Sequence, residues 1–273
     1  MLIHIALCAW SAIANLEGAP ETAIIPHEIT GPYQPVPVAV EVLAPRTLES
    51  GRAYPVLYIL PVAAGTTSRW GSGIREAARA DIANRFGVVC VAPAFAATPW
   101  FADHPTDPAL QQESHFIKTV LPWVESNYPV EKGRSGRFLL GFSKSGYGAV
   151  MLLLRHPDLF ERAVAWDAPI DKTRPDQFKM IDVFGTEAHF ERYAVPNLVR
   201  ERAETFRAGE ARLILMPNGD TGHPMAAVHR QLVMLGVPHV YDATGPLEHH
   251  WESGWLPEAA ARLLSGNPEP GSR

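Results

Sequence analysis

The stretch Leu139-Leu140-Gly141-Phe142-Ser143-Lys144-Ser145-Gly146-Tyr147-Gly148-Ala149 constrains the fold of this chain most. An apolar run (Phe138, Leu139, Leu140) stops at a glycine. A serine follows, then small residues, then apolar residues at helical spacing (Ala149, Val150, Leu152, Leu153). The pattern predicts a strand, a sharp turn and a helix, with Ser143 at the apex. So tight a turn strains the serine backbone and lifts its hydroxyl above the sheet. The flanking glycines fit because a side chain there would strike the turn or the helix. A serine held this way is a candidate nucleophile. A serine after a strand also serves as an ordinary helix N-cap, so the reading needs support from the rest of the chain. Ser145 stands where the G-x-S-x-G pattern ends in glycine, and it is small enough to keep helix and strand close.

Strand and helix patterns alternate elsewhere. Apolar runs over 55–61 and 87–92 read as parallel strands buried on both faces. The Val-rich segment 36–43, with its prolines, reads as an edge-type strand. Further strands are expected over 137–140, 162–166, 212–216 and 237–241. Helical spacing covers 72–85, 110–128 with an interruption at Pro122, the segment from the serine turn to Arg155, an irregular 175–207, then 223–235 and 257–264. This alternation predicts an α/β protein with a mainly parallel central sheet and helices on both faces. Sites in such sheets lie at the carboxyl ends of strands, where Ser143 falls.

Net charge is −5, with 24 basic and 29 acidic residues and no long basic run, which argues against a nucleic-acid partner. Residues 1–14 read as a short secretory signal, with Ala12-Ile13-Ala14 as a small-x-small cleavage site, although no Lys or Arg precedes the apolar stretch. The chain would then be secreted or periplasmic; without a signal it would be cytoplasmic. The apolar stretch is too short to span a membrane. One domain is expected over 15–264, followed by a disordered polar tail over 265–273. Of the two cysteines, Cys8 would leave with the signal, and Cys90 lies in an apolar strand and reads as a core residue.

A serine hydroxyl needs a histidine to take its proton and a carboxylate to orient that histidine. Asp220 follows a strand in Pro217-Asn218-Gly219-Asp220 and is the expected acid. Asp167, after the preceding strand, is its rival. Glu248-His249-His250-Trp251 follows the last strand, and one of its two histidines is the expected base. No metal-ligand spacing accompanies them, so no metal is expected. His104 is a third histidine near the mouth, which the chain order disfavours. The oxyanion hole would use backbone N–H groups of Lys144 and of Ala63, in the loop after an early central strand.

These residues resemble the putative-esterase group of α/β-hydrolases, which includes esterase D, feruloyl esterases and bacterial mycolyltransferases. Gly141 to Ala149 resembles the family's G-x-S-M-G-G-x-G-A. Arg155-His156-Pro157-Asp158-Leu159-Phe160 resembles R-H-P-D-x-F, and His249-His250-Trp251 resembles H-x-W. The resemblance spans roughly 36–264 and implies an α/β-hydrolase fold and a cofactor-free serine ester hydrolase. It puts the base at His249, with His250 as a neighbour. Transfer of the acyl group to an alcohol or sugar, or ligand binding without turnover, are the other readings. Small esters, carbohydrate-linked esters and thioesters all fit as substrates. Two departures stand out. Lys144 replaces an uncharged residue and is expected to pair with Asp167 or Glu113, or else to hold an acidic substrate. Pro61-Val62 replaces His-Gly before the oxyanion loop. Trp100, in an aromatic loop, together with Trp251 and His250, is a candidate for substrate contact.

Overall fold

The computed structural model describes residues 22–219 and 224–265. The expected signal, Asp220 and the tail beyond Ser265 lie outside the described residues. Among those described, the strands β1 (Ile25–Ile29), β2 (Val38–Leu43), β3 (Val56–Ile59), β4 (Val89–Pro93), β5 (Arg137–Phe142), β6 (Arg162–Trp166), β7 (Leu213–Met216) and β8 (His239–Tyr241) form one sheet. Its order is β1-β2-β4-β3-β5-β6-β7-β8. β2 runs antiparallel to both its neighbours, and the strands from β4 to β8 are mutually parallel.

The α-helices are α1 (Gly73–Arg79), α2 (Ile82–Phe86), α3 (Gln112–His115), α4 (Leu121–Asn127), α5 (Lys144–Arg155), α6 (Met180–Phe184), α7 (Glu187–Phe190), α8 (Val195–Arg207), α9 (Met225–Met234) and α10 (Leu256–Leu264). They cover both faces of the sheet. In β3, Val56 and Tyr58 face one core layer with α4, α5, α8 and α9, while Leu57 and Ile59 face another with α1, α2 and α10. β4 divides the same way, with Val89 and Val91 on one side and Cys90 and Ala92 on the other. Two-sided burial is why these strands read as unbroken apolar runs. Each large apolar side chain removed from water contributes about 1.5–3 kcal/mol.

The structure departs from the sequence pattern in four places. β1 was not anticipated; it carries Pro26 and pairs on one side only, an edge position that a short proline-bearing strand can occupy. The helix expected over 72–85 is broken by Asp81, whose φ is 54°. The irregular segment 175–207 resolves into α6, α7 and α8. The helix expected to be interrupted at Pro122 continues instead. A π-helical turn (Phe116–Val120) joins α3 to α4, with the Leu121 N–H reaching the Phe116 carbonyl, and proline falls just inside the first turn of α4. A single wide turn of this kind accommodates a proline that regular i→i−4 bonding would reject.

Candidate active site

β5 ends in the middle of the sheet, and the chain turns at once into α5. Ser143 sits at that turn with φ 54° and ψ −124°. Close packing enforces the conformation: a Cβ on Gly141 would lie 2.1 Å from the Ser145 carbonyl oxygen. A Cβ on Gly146 would lie 2.7 Å from the Ala168 Cβ, so glycine lets α5 approach β6. Ser145 contributes more than small size. Its buried hydroxyl donates to the Phe142 carbonyl at 2.9 Å and accepts from the Phe142 N–H at 3.0 Å, bracing the turn from inside.

His249 reaches the serine from the loop after β8. Its Nε2 lies 3.1 Å from Ser143 Oγ, and its Nδ1 lies 2.5 Å from Asp167 Oδ2. A carboxylate only accepts, so the ring proton belongs on Nδ1, leaving Nε2 to accept from the serine hydroxyl. Asp167 follows β6 and also has a left-handed backbone, φ 46°. Among the described residues the acid placed against the histidine is Asp167, because β6 lies directly beside β5 and ends where the His249 loop passes; Asp220 lies outside the described residues. Asn218 ties these parts together. Its side-chain amide donates to Asp167 Oδ2 at 3.2 Å and to the Leu247 carbonyl at 2.9 Å, and its Oδ1 accepts the Leu247 N–H at 2.9 Å.

An aromatic floor supports the histidine. The His249 ring lies 4.5 Å from Phe142, centroid to centroid, and meets Trp70 edge-on at 5.5 Å. Beneath it Trp166 and Trp255 stack at 4.8 Å, and Trp251 packs edge-on against Phe142 at 5.2 Å.

The serine opens into a cleft of about 620 Å³ lined by Arg69, Trp70, Ser143, Lys144, Asp167, Ala168, Pro169, Phe178, Pro224 and His249. Trp100 and Trp251 are not among its walls. Both are buried, Trp251 in the aromatic floor and Trp100 edge-on against Tyr147; the aromatic side chains that line the cleft are Trp70 and Phe178. The His250 ring sits beside Gly71 rather than in the cleft, and its carbonyl accepts the Trp255 indole N–H at 3.0 Å. His104 caps its own loop, accepting N–H bonds from Thr106 and Asp107.

The Lys144 N–H stands in the first turn of α5, where no intrahelical acceptor exists. Ala63 lies half-buried in the loop after β3, next to Ala64, whose carbonyl accepts the Phe95 N–H at 2.7 Å. The Lys144 side chain does not form the expected ion pair. Glu113 is held by Arg155 at 2.6 Å and His156 at 2.7 Å, and Asp167 by His249. Burial, and then the Arg69 charge, hold the Lys144 ammonium below the usual lysine pKa.

Sequence reasoning missed Asn218, Arg69 and Trp70 as parts of the site. Asn218 carried only a turn signal, and the other two belong to no recognisable motif.

Comparison with known proteins bears on the family and the fold. The family model described as Putative esterase matches residues 35–227. Esterase Rv1288 of Mycobacterium tuberculosis (strain ATCC 25618 / H37Rv) is 29% identical over 132 residues, covering 46% of this chain and 27% of that protein. The match therefore spans about a quarter of that relative's length. Among solved structures, a ferulic acid esterase superposes with TM-score 0.70 at 20% identity, over 89% of this chain and 96% of its own. The S-formylglutathione hydrolase FrmB of Staphylococcus aureus superposes with TM-score 0.70 at 17% identity, over 89% and 99%. These likenesses show the shared α/β-hydrolase fold. With its elbow, its sheet order and a family match covering most of its length, the chain belongs to the putative esterase family.

Proposed function

We propose that this chain is a serine carboxylic-ester hydrolase working through an acyl-enzyme on Ser143. The observation that carries the reading is the hydrogen-bonded path from Ser143 Oγ through His249 to Asp167, with steps of 3.1 and 2.5 Å. His249 Nε2 takes the Ser143 proton as Oγ attacks the ester carbonyl carbon. The negative charge gathers on the carbonyl oxygen, where the backbone N–H groups of Lys144 and Ala63 are assigned to receive it. His249 returns its proton to the departing alkoxide as the ester C–O bond breaks. Water then attacks the acyl carbon, giving its proton to His249, and Ser143 leaves with that proton restored. Asp167 holds the imidazole in the required tautomer and offsets the charge it acquires.

The names of the structural relatives put feruloyl esters and small thioesters among the first substrates to try. The test is fluorophosphonate labelling of the whole chain, with the modified peptide located by mass spectrometry. Labelling at Ser143, and loss of ester hydrolysis by roughly 10⁴-fold or more in Ser143→Ala, is the expected result. Absence of labelling in folded protein would overturn the reading. Product analysis with added alcohols separates hydrolysis from acyl transfer.

A further inference from the structure

The cleft holds two cationic side chains that the steps above do not use. Lys144 and Arg69 both line it beside Ser143. The Arg69 guanidinium lies over the Trp70 ring, 4.5 Å from its centroid, and the Lys144 ammonium lies 5.9 Å from the Trp100 centroid. Among the described residues neither forms an ion pair with a carboxylate. The two acids expected to neutralise Lys144 are engaged elsewhere, Asp167 with His249 and Glu113 with Arg155 and His156.

A half-buried ammonium without a counter-ion is costly, and a second cation close by adds to the cost. Burial and the Arg69 charge both weaken the hold of Lys144 on its proton, which shows that the two share one field. Besides Ser143, Asp167 and His249, which engage one another, the rest of the wall is apolar (Trp70, Ala168, Pro169, Phe178 and Pro224) and limits the water that could screen these charges. An anion entering the cleft would meet both cations at once, within reach of the nucleophile.

We propose that Lys144 and Arg69 form an anion subsite that selects esters bearing a carboxylate near the scissile bond. The inference rests on the hydrolase reading for the bond that is cut, but not for the binding itself. The alternative is that the two charges only help stabilise the oxyanion, in which case charged and neutral esters would be treated alike.

Two ester pairs test this: phenyl hydrogen glutarate and 4-acetoxybenzoate, each against its methyl-ester twin. The first carries its anion on the acyl side and the second on the alcohol side. Binding is measured by calorimetry on Ser143→Ala protein, and kcat/KM on the wild type. In at least one pair the charged ester is expected to bind about tenfold more tightly than its twin, the size of one charge-assisted contact in a partly exposed site. The pair that shows it identifies the side on which the anion sits.

The preference should fall to within about twofold in Arg69→Met and in the Lys144→Met/Arg69→Met double variant, and survive in Lys144→Arg. Equal binding within both pairs, or a preference that persists in the double variant, overturns the subsite. A binding preference without Ser143 labelling would sink the hydrolase reading and leave the subsite standing.

Discussion

Two residues of the hydrogen-bonded path, the serine and the aspartate, have backbones that side chains rarely adopt. Ser143 and Asp167 follow adjacent strands with φ 54° and 46°. Each continues the sheet by one bond: the Ser143 N–H donates to Trp166 at 3.0 Å, and the Asp167 N–H to Met216 at 3.1 Å. The ladder thus holds both strained residues in place, and their side chains emerge together above the sheet edge. Asp167→Asn removes the charge while keeping the shape, so the protein should fold. Because the amide cannot set the imidazole tautomer, kcat should drop roughly 10³–10⁴-fold. A loss under tenfold, with a large loss in Asp220→Asn instead, would return the acid role to Asp220. Steady-state kinetics on both variants decides it.

At the scale of elements, the elbow between β5 and α5 was legible in the residue order, because glycine, serine and a following helical pattern leave few alternatives. The role of Ser145 was not. From sequence it was a tolerable substitute for glycine; in the fold its hydroxyl holds both backbone polar groups of Phe142. Ser145→Ala leaves buried groups short of partners and should cost about 1–3 kcal/mol in urea unfolding with an unchanged m-value. A variant as stable as the wild type would show that the brace is idle. The π-helical turn before Pro122 was equally invisible, since a proline signals interruption locally and only the packed helix pair shows how it is absorbed.

At the scale of the whole molecule, the described core holds a histidine with no hydrogen-bonding partner. His115 is fully buried against Phe95, both ring nitrogens lack hydrogen bonds, and burial pushes its pKa down from 6.5 to about 4. The folded state therefore keeps the ring neutral while the unfolded chain takes up a proton below pH 6.5. Unfolding binds protons in that window, so stability falls as pH drops from 6.5 to 4 and this contribution levels off below. The loss amounts to about 3 kcal/mol. His115→Leu should remove it, which is read from urea midpoints at pH 7 and pH 4.5. Parallel loss in both proteins would show that other groups govern the acid limb.

The sequence by itself determined the α/β alternation, the buried strands, the elbow and the two histidines from which the site draws one. These depend on neighbours in the chain: apolar period, turn chemistry and backbone freedom. Only the tertiary structure decided that Asp167 faces His249, that Trp100 and Trp251 belong to the core, and that Lys144 stands without the expected partner. Those outcomes depend on strand order and on which loops meet over the sheet. Asp167 and His249 are 82 residues apart, and no local pattern encodes a contact made only when β6 lies beside β5 and the loop after β8 folds back across both.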